Sequence, residues 1–219
     1  MKPCVPAGSA RTFGIVPVMD DKAILHTYLR TRRQDLLGKL EGLSEYDVRR
    51  PLTPTGTNLL GLVKHVASVE LGYFGEVFGR PSELKLPWFA DDAEPDADMW
   101  AAPGETREQI TELHRLSAAH SDATIEDLPL DAPGVVPWWP DERKQVTLQQ
   151  ILVHMCVETA HHLGHADILR ELIDGSAGQR PGDPNLSPRT AEGWAVHRAR
   201  IEAAAVAAEA GAAGRQYGR

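Results

Sequence analysis

Apolar residues recur at helical intervals in five stretches of this chain. In the first, from about Asp20 to Leu40, Ile24, Tyr28, Leu29, Leu36 and Leu40 share a stripe behind two aspartates that suit a helix N-terminus. Gly42 and then Arg50-Pro51-Leu52-Thr53-Pro54 break that pattern and predict a connector. A second stripe, Leu59, Leu62, Val63, Val66, Val69 and Tyr73, follows Thr57 or Asn58 as N-cap and extends to about Phe78, where Gly79-Arg80-Pro81 stops it. Residues 81–104 are rich in Pro and Asp and carry Trp88, Phe89 and Trp100, a long connection of the kind that serves as a functional lid. The third helix runs from Thr106 to about Ser121, with Thr106 and Gln109 spaced as a capping box. A loop or short hairpin is expected around Pro137-Trp138-Trp139-Pro140. The fourth helix, Thr147 to about Asp174, ends at a C-cap Gly175, and a fifth spans roughly Thr190 to Ala210. Without repeats or strand-rich stretches, this order predicts an all-α fold, a four-helix bundle with long crossover loops and an extra C-terminal helix.

The fourth helix breaks its own pattern. On a helical wheel Leu148, Ile151, Met155, Ala166, Leu169, Leu172 and Ile173 form one broad face, apolar at both ends. The middle of that face holds His154, Glu158, His161, His162 and His165. A buried unpaired carboxylate costs several kcal/mol, so a bundle tolerates such a cluster only when something compensates it. A divalent cation does so, because carboxylate and neutral imidazole become its ligands. Residues four apart on a helix can reach one ion, which admits Glu158 with His162, His154 with Glu158, and His161 with His165. His154 and His162 stand two turns apart, roughly 12 Å by helix rise, too far to share an ion. Cys156 points to the opposite side. The second helix offers His65, at the margin of its stripe beside Gly61 and Gly72, where another helix could approach. On its own His65 reads as a core histidine and Glu158/His162 as an exposed pair; the five polar positions on an apolar face favour the metal. Three ligands, His65, Glu158 and His162, leave a coordination position open, the pattern of a catalytic zinc site. His114, His120 and His197 are isolated and read as surface or packing residues.

Composition narrows the partners. A length of 219 residues suits one well-cored domain, and a net charge of −8 repels phosphate backbones and argues against nucleic-acid binding. The run Arg30-Thr31-Arg32-Arg33 reads as the solvated face of a helix. Two cysteines, Cys4 and Cys156, make no disulfide framework and fit a reducing cytoplasm, and no apolar stretch has the length of a membrane span. Residues 1–18 are expected to be a disordered leader with Met19 as a candidate start, residues 19–205 one domain, and 206–219 a frayed Gly/Ala tail. The chain is expected to be a monomer or homodimer.

Two segments resemble a known family. Leu59-Leu60-Gly61-Leu62-Val63-Lys64-His65-Val66-Ala67-Ser68-Val69-Glu70, with Phe74 after it, resembles the second-helix motif of the DinB-like superfamily. Val157-Glu158-Thr159-Ala160-His161-His162-Leu163-Gly164-His165-Ala166-Asp167 resembles its metal-binding helix, closest to the actinobacterial branch of mycothiol-dependent transferases and maleylpyruvate isomerase. The likeness extends over roughly residues 20–205 and includes Gly193-Trp194. It implies an up-down-down-up four-helix bundle with a metal held between helices by His65, Glu158 and His162. Glu158 stands where many members have a histidine, and His161 where relatives are often basic.

These readings point to an enzyme that conjugates a low-molecular-weight thiol, mycothiol, to a small electrophile. The expected ion is Zn2+, with Ni2+ or Fe2+ as alternatives. The aromatic residues Trp88, Phe89, Trp138 and Trp139 would wall the electrophile pocket or merely anchor loops. Two other readings stand beside this one. One is a metal-dependent hydrolase, for which His165 is the only candidate general base; the other is a non-catalytic, stress-related metal-binding protein.

Overall fold

In the computed structural model, residues 20–180 and 182–216 are described, 211–216 as backbone alone. The expected leader with Cys4, the candidate start Met19 and residues 217–219 of the expected tail lie outside them. Most described residues are helical, and the fold is all-α apart from one small hairpin.

Local capping fixes where the helices begin. Helix α1 (Asp21–Gly38) opens with the Asp20 side chain accepting from the Ala23 amide at 2.7 Å. A five-residue helix, α2 (Glu45–Arg49), capped by Ser44, occupies part of the expected connector, too short to show any periodicity. Helix α3 (Leu59–Phe74) starts where Asn58 accepts from the Gly61 amide, and a single 3-10 turn (Glu76–Phe78) follows it. Helix α4 (Arg107–Asp127) carries the expected capping box but outruns Ser121 by six residues. It ends at Leu128, whose extended backbone is what a following proline requires. Strands β1 (Pro133–Val135) and β2 (Gln145–Thr147) pair antiparallel, Gly134 opposite Val146. Helix α5 (Leu148–Asp174) begins with a Thr147/Gln150 capping box and closes on Gly175, whose left-handed φ of 79° favours glycine. Helix α6 (Ala191–Gln216) belongs to a second compact unit, residues 177–219, in which Arg189 lies over the Trp194 ring.

Within the first unit α3 packs on α4 and α5, and α1 packs on α5 and α4. Two apolar clusters fill the interior. Leu29, Phe74, Ile125, Ile151, Leu152 and Met155 gather toward the hairpin, whereas Leu36, Leu62, Val63, Val66, Leu163, Ala166 and Leu169 gather at the other end. On α5 the break between Met155 and Leu163 holds Glu158 and His162, so the interrupted pattern in the sequence is an interruption in the core.

The inward face of α1 keeps Leu29 and Leu36 of the expected stripe, and Leu40 beyond its end is buried too, but Ile24 and Tyr28 are exposed and His26 and Arg33 point inward instead. The basic run is not wholly solvated, since Arg33 is 3% exposed and meets both carboxylate oxygens of Glu70 at 2.7 and 2.9 Å. Asp122 also accepts from Arg33 Nη1 at 2.6 Å and from His26 Nε2 at 2.7 Å. The carboxylates of Glu70 on α3 and Asp122 on α4 draw Arg33 inward beside Leu29 and Leu36. On α5, Leu172, expected on the buried face, is exposed, whereas Leu169 is buried and Ile173 packs against the same cluster. No helix among the described residues is long and apolar enough to cross a membrane.

Candidate metal centre

Helix α5 presents Glu158 and His162 on one face, His162 Nε2 lying 3.1 Å from Glu158 Oε1. From α3, His65 Nε2 approaches the same oxygen to 3.3 Å. One donor atom from each of the three residues lies within 4.8 Å of the others, and the two imidazole rings stand edge to face with centroids 4.7 Å apart. Two nitrogens and one carboxylate oxygen converging at this range suit a borderline divalent cation such as zinc. His162 Nδ1, on the far side of that ring from Glu158, is buried with no hydrogen-bond partner among the described residues.

The long loop adds a residue the sequence reading missed. Asp98 Oδ2 accepts from the Nδ1–H of His65 at 2.6 Å, which fixes that ring and leaves Nε2 facing Glu158. Asp98 is held there by Lys64, a buried lysine on the preceding residue of α3. Its Nζ donates to the carbonyls of Ala97 and Trp100 at 2.8 and 3.0 Å, to the Glu105 carboxylate at 2.8 Å, and lies 4.1 Å from the Trp88 ring centroid. Trp88 in turn donates to Ser68 Oγ at 3.0 Å. At Gly61 a Cβ would collide with the Met99 carbonyl, so glycine is what lets the loop lie against α3. The close approach expected at Gly61 and Gly72 is therefore made by this loop and by the Trp138 ring, 3.4 Å from the Cβ position at Gly72, rather than by a helix.

Electrostatics follow from this crowding. Burial disfavours the charged form of His65, yet the bonds to Asp98 and Glu158 outweigh it and raise its pKa to about 9. Glu158 is driven far below the usual carboxylate range by the bonds from His162 and then His65. One carboxylate thus serves two imidazoles, and a cation entering here must displace the proton from His65.

The other candidates lie elsewhere. His154 packs against the rings of Tyr73 and Trp139, at 4.6 and 5.2 Å, and stays out of the triad. His161 and His165 are exposed on α5, with ring centroids 4.3 Å apart. Cys156 faces α1, its Sγ donating to the Leu25 carbonyl, and burial pushes its thiol up. His114 is buried and held down to about 4 by burial and by the Arg33 charge. His120 donates to the Arg80 carbonyl, and His197 lies beside Trp194 in the second unit.

A cleft of about 970 Å3 opens beside His65 along α3. Val69, Gly72, Leu86, Pro87, Phe89 and Trp138 give it a largely apolar wall, with Ser68, Tyr73 and Asp98 as polar points. Of the four aromatic residues expected to wall it, Phe89 and Trp138 do so. Trp88 anchors the loop from behind, and Trp139 donates to Tyr73 Oη at 3.1 Å.

A family model described as Mycothiol-S-transferase matches residues 24–175, more than two thirds of the chain. The match includes every residue of the triad, Asp98 and the cleft. No curated protein matches the chain.

Proposed function

The chain belongs to the mycothiol S-transferase family, and from that membership together with the triad we propose a metal-dependent enzyme that conjugates mycothiol to a small electrophile. The convergence of His65, Glu158 and His162, with His65 also lining an apolar cleft, is the observation that carries this reading. We read the ring of α1, α3, α4 and α5 as the DinB-like four-helix bundle with its up-down-down-up course. The three residues are its metal ligands, Zn2+ being the ion the donor set favours. We place the enzyme in the cytoplasm of an actinobacterium, where the thiol co-substrate is made and stays reduced.

A divalent ion held by the triad would supply an open position for the thiol sulfur and favour its thiolate form below the free-thiol pKa of about 8.5. The protein does the rest. Glu158 contributes one negative charge, which leaves the centre with a surplus positive charge that a thiolate neutralises. Asp98 holds the His65 proton on Nδ1 and keeps Nε2 available as a donor. Phe89 and Trp138 give the electrophile an apolar wall in the cleft. The sulfur–carbon bond then forms as a leaving group departs, or as an activated alkene takes up a proton. The thiol's own proton passes to solvent.

The hydrolase reading needs a general base close to the ion. His165 is exposed, its ring centroid 5.5 Å from that of His162, and Asp98 is already committed to His65. The test is binding. Protein purified intact should hold near-stoichiometric divalent metal, and mycothiol should raise its melting temperature and perturb the spectrum of the cobalt-substituted form. A folded protein that takes up no metal on titration overturns the site. A metal-loaded protein indifferent to saturating mycothiol overturns the transferase and favours the hydrolase.

A further inference from the structure

Most described histidines have a fixed partner. His26, His65, His120 and His162 are hydrogen-bonded, and His154 is wedged between aromatic rings. His161 and His165 differ. They stand one turn apart on α5, both exposed, with their rings in edge contact at 4.3 Å. Among the described residues neither ring has a hydrogen bond, and a Cβ built at Gly164 between them would meet nothing within 4 Å. Two unbonded imidazoles on adjacent turns of a rigid helix are a ready two-nitrogen chelate, because α5 has already fixed the spacing and only side-chain rotation remains. Their rings lie 5.3 and 5.5 Å from the ring of His162, so the pair sits on the solvent side of the inner triad.

We propose that His161 and His165 form an outer site for an imidazole-preferring divalent cation, and that this site loads the inner triad. The proposal rests on the reading of His65, Glu158 and His162 as metal ligands. Two neutral nitrogens hold an ion more weakly than two nitrogens and a carboxylate, so transfer runs inward. Imidazole selects zinc, nickel or copper over magnesium and calcium, which are bound by oxygen. The chain's net charge of −8 enriches cations near the surface from which the pair captures them.

Calorimetric titration with Zn2+ of three metal-stripped proteins separates the two sites. Wild type should bind two equivalents, one tight and one weak. His161→Gln/His165→Gln should keep only the tight one, and His65→Gln/Glu158→Gln only the weak one; Mg2+ should give neither. Loading of the tight site, followed with a zinc indicator, should slow by about tenfold or more in the first variant at unchanged final affinity, the lower end of what local enrichment gives to on-rates. One equivalent in both wild type and His161→Gln/His165→Gln overturns the outer site and leaves the triad standing. One equivalent that survives in His65→Gln/Glu158→Gln and vanishes with the pair overturns the triad instead. Two equivalents with an unchanged loading rate overturn the delivery role.

Discussion

Two charged clusters lie inside this helical core, and they are built on opposite principles. Arg33, Glu70, Asp122 and His26 form a closed network in which each charge meets an opposite one, and Arg33 reaches two carboxylates. Burial pushes Asp122 up, and the bonds from His26 and Arg33 bring it below the ordinary range. His65, Glu158 and His162 form an open cluster, with two bases around one carboxylate and a cleft alongside. Buried charge alone does not mark a functional site. The first cluster is complete, so it holds helices together; the second is incomplete, so it has capacity for a ligand.

That contrast can be broken at four points. Arg33→Met should have the largest effect, because it strands Glu70, already pushed up by burial, without its partner. The expected loss is about 3–5 kcal/mol in denaturant unfolding, and Arg33→Met/Glu70→Met should recover most of it. A single variant that costs nothing would mean that the network contributes no structural constraint.

His114 tests the same region through pH. Its pKa falls from an unfolded value near 6.5 to about 4, so between these values the unfolded chain binds the extra proton. Stability should therefore fall as pH drops from about 6.5 to 4, by roughly 3 kcal/mol from this residue at the acid end. His114→Gln should flatten that arm of the melting-temperature profile, and an unchanged profile would place His114 in contact with water.

The open cluster should respond in metal affinity rather than in stability. Asp98→Asn removes the carboxylate behind His65 and should weaken metal binding by about 10–100-fold, read by chelator competition, with little change in the metal-free melting temperature. A large loss of stability without loss of affinity would make Asp98 a loop anchor only. The smallest effect belongs to His154→Gln, which should retain the metal, since that ring packs on Tyr73 and Trp139. Loss of the ion in His154→Gln would mean that α5 uses the other pair of residues four apart.

Much of this was legible in the sequence for physical reasons. Periodicity located the long helices, the capping box at Thr106 fixed one of their starts, and the polar interruption on α5 marked Glu158 and His162. Asp98 was not legible, because it is one of several aspartates in residues 91–98 and its role depends on a fold-back across 33 residues. A hint existed in Lys64, a charged residue that shares its face of α3 with the buried Leu60, Gly61 and Ala67 and therefore required a buried partner. The inward position of Arg33 was not legible, because it becomes a core residue only opposite Glu70 and Asp122, which no local pattern reveals. The likeness to mycothiol-dependent proteins was legible in the α3 and α5 motifs and agrees with the family the chain belongs to.

The Lys64 staple has a thermodynamic corollary. It pins the segment that delivers Asp98 to His65, so with the proposed ion on the triad, loop closure and ion retention would be two readouts of one equilibrium. Linkage is reciprocal: whatever factor the closed loop adds to metal affinity, the bound ion returns to loop closure. Anything that enters the cleft and lifts residues 97–100 would loosen the ion, and a protease that cuts this segment slowly in the loaded protein would cut it faster once the ion is removed.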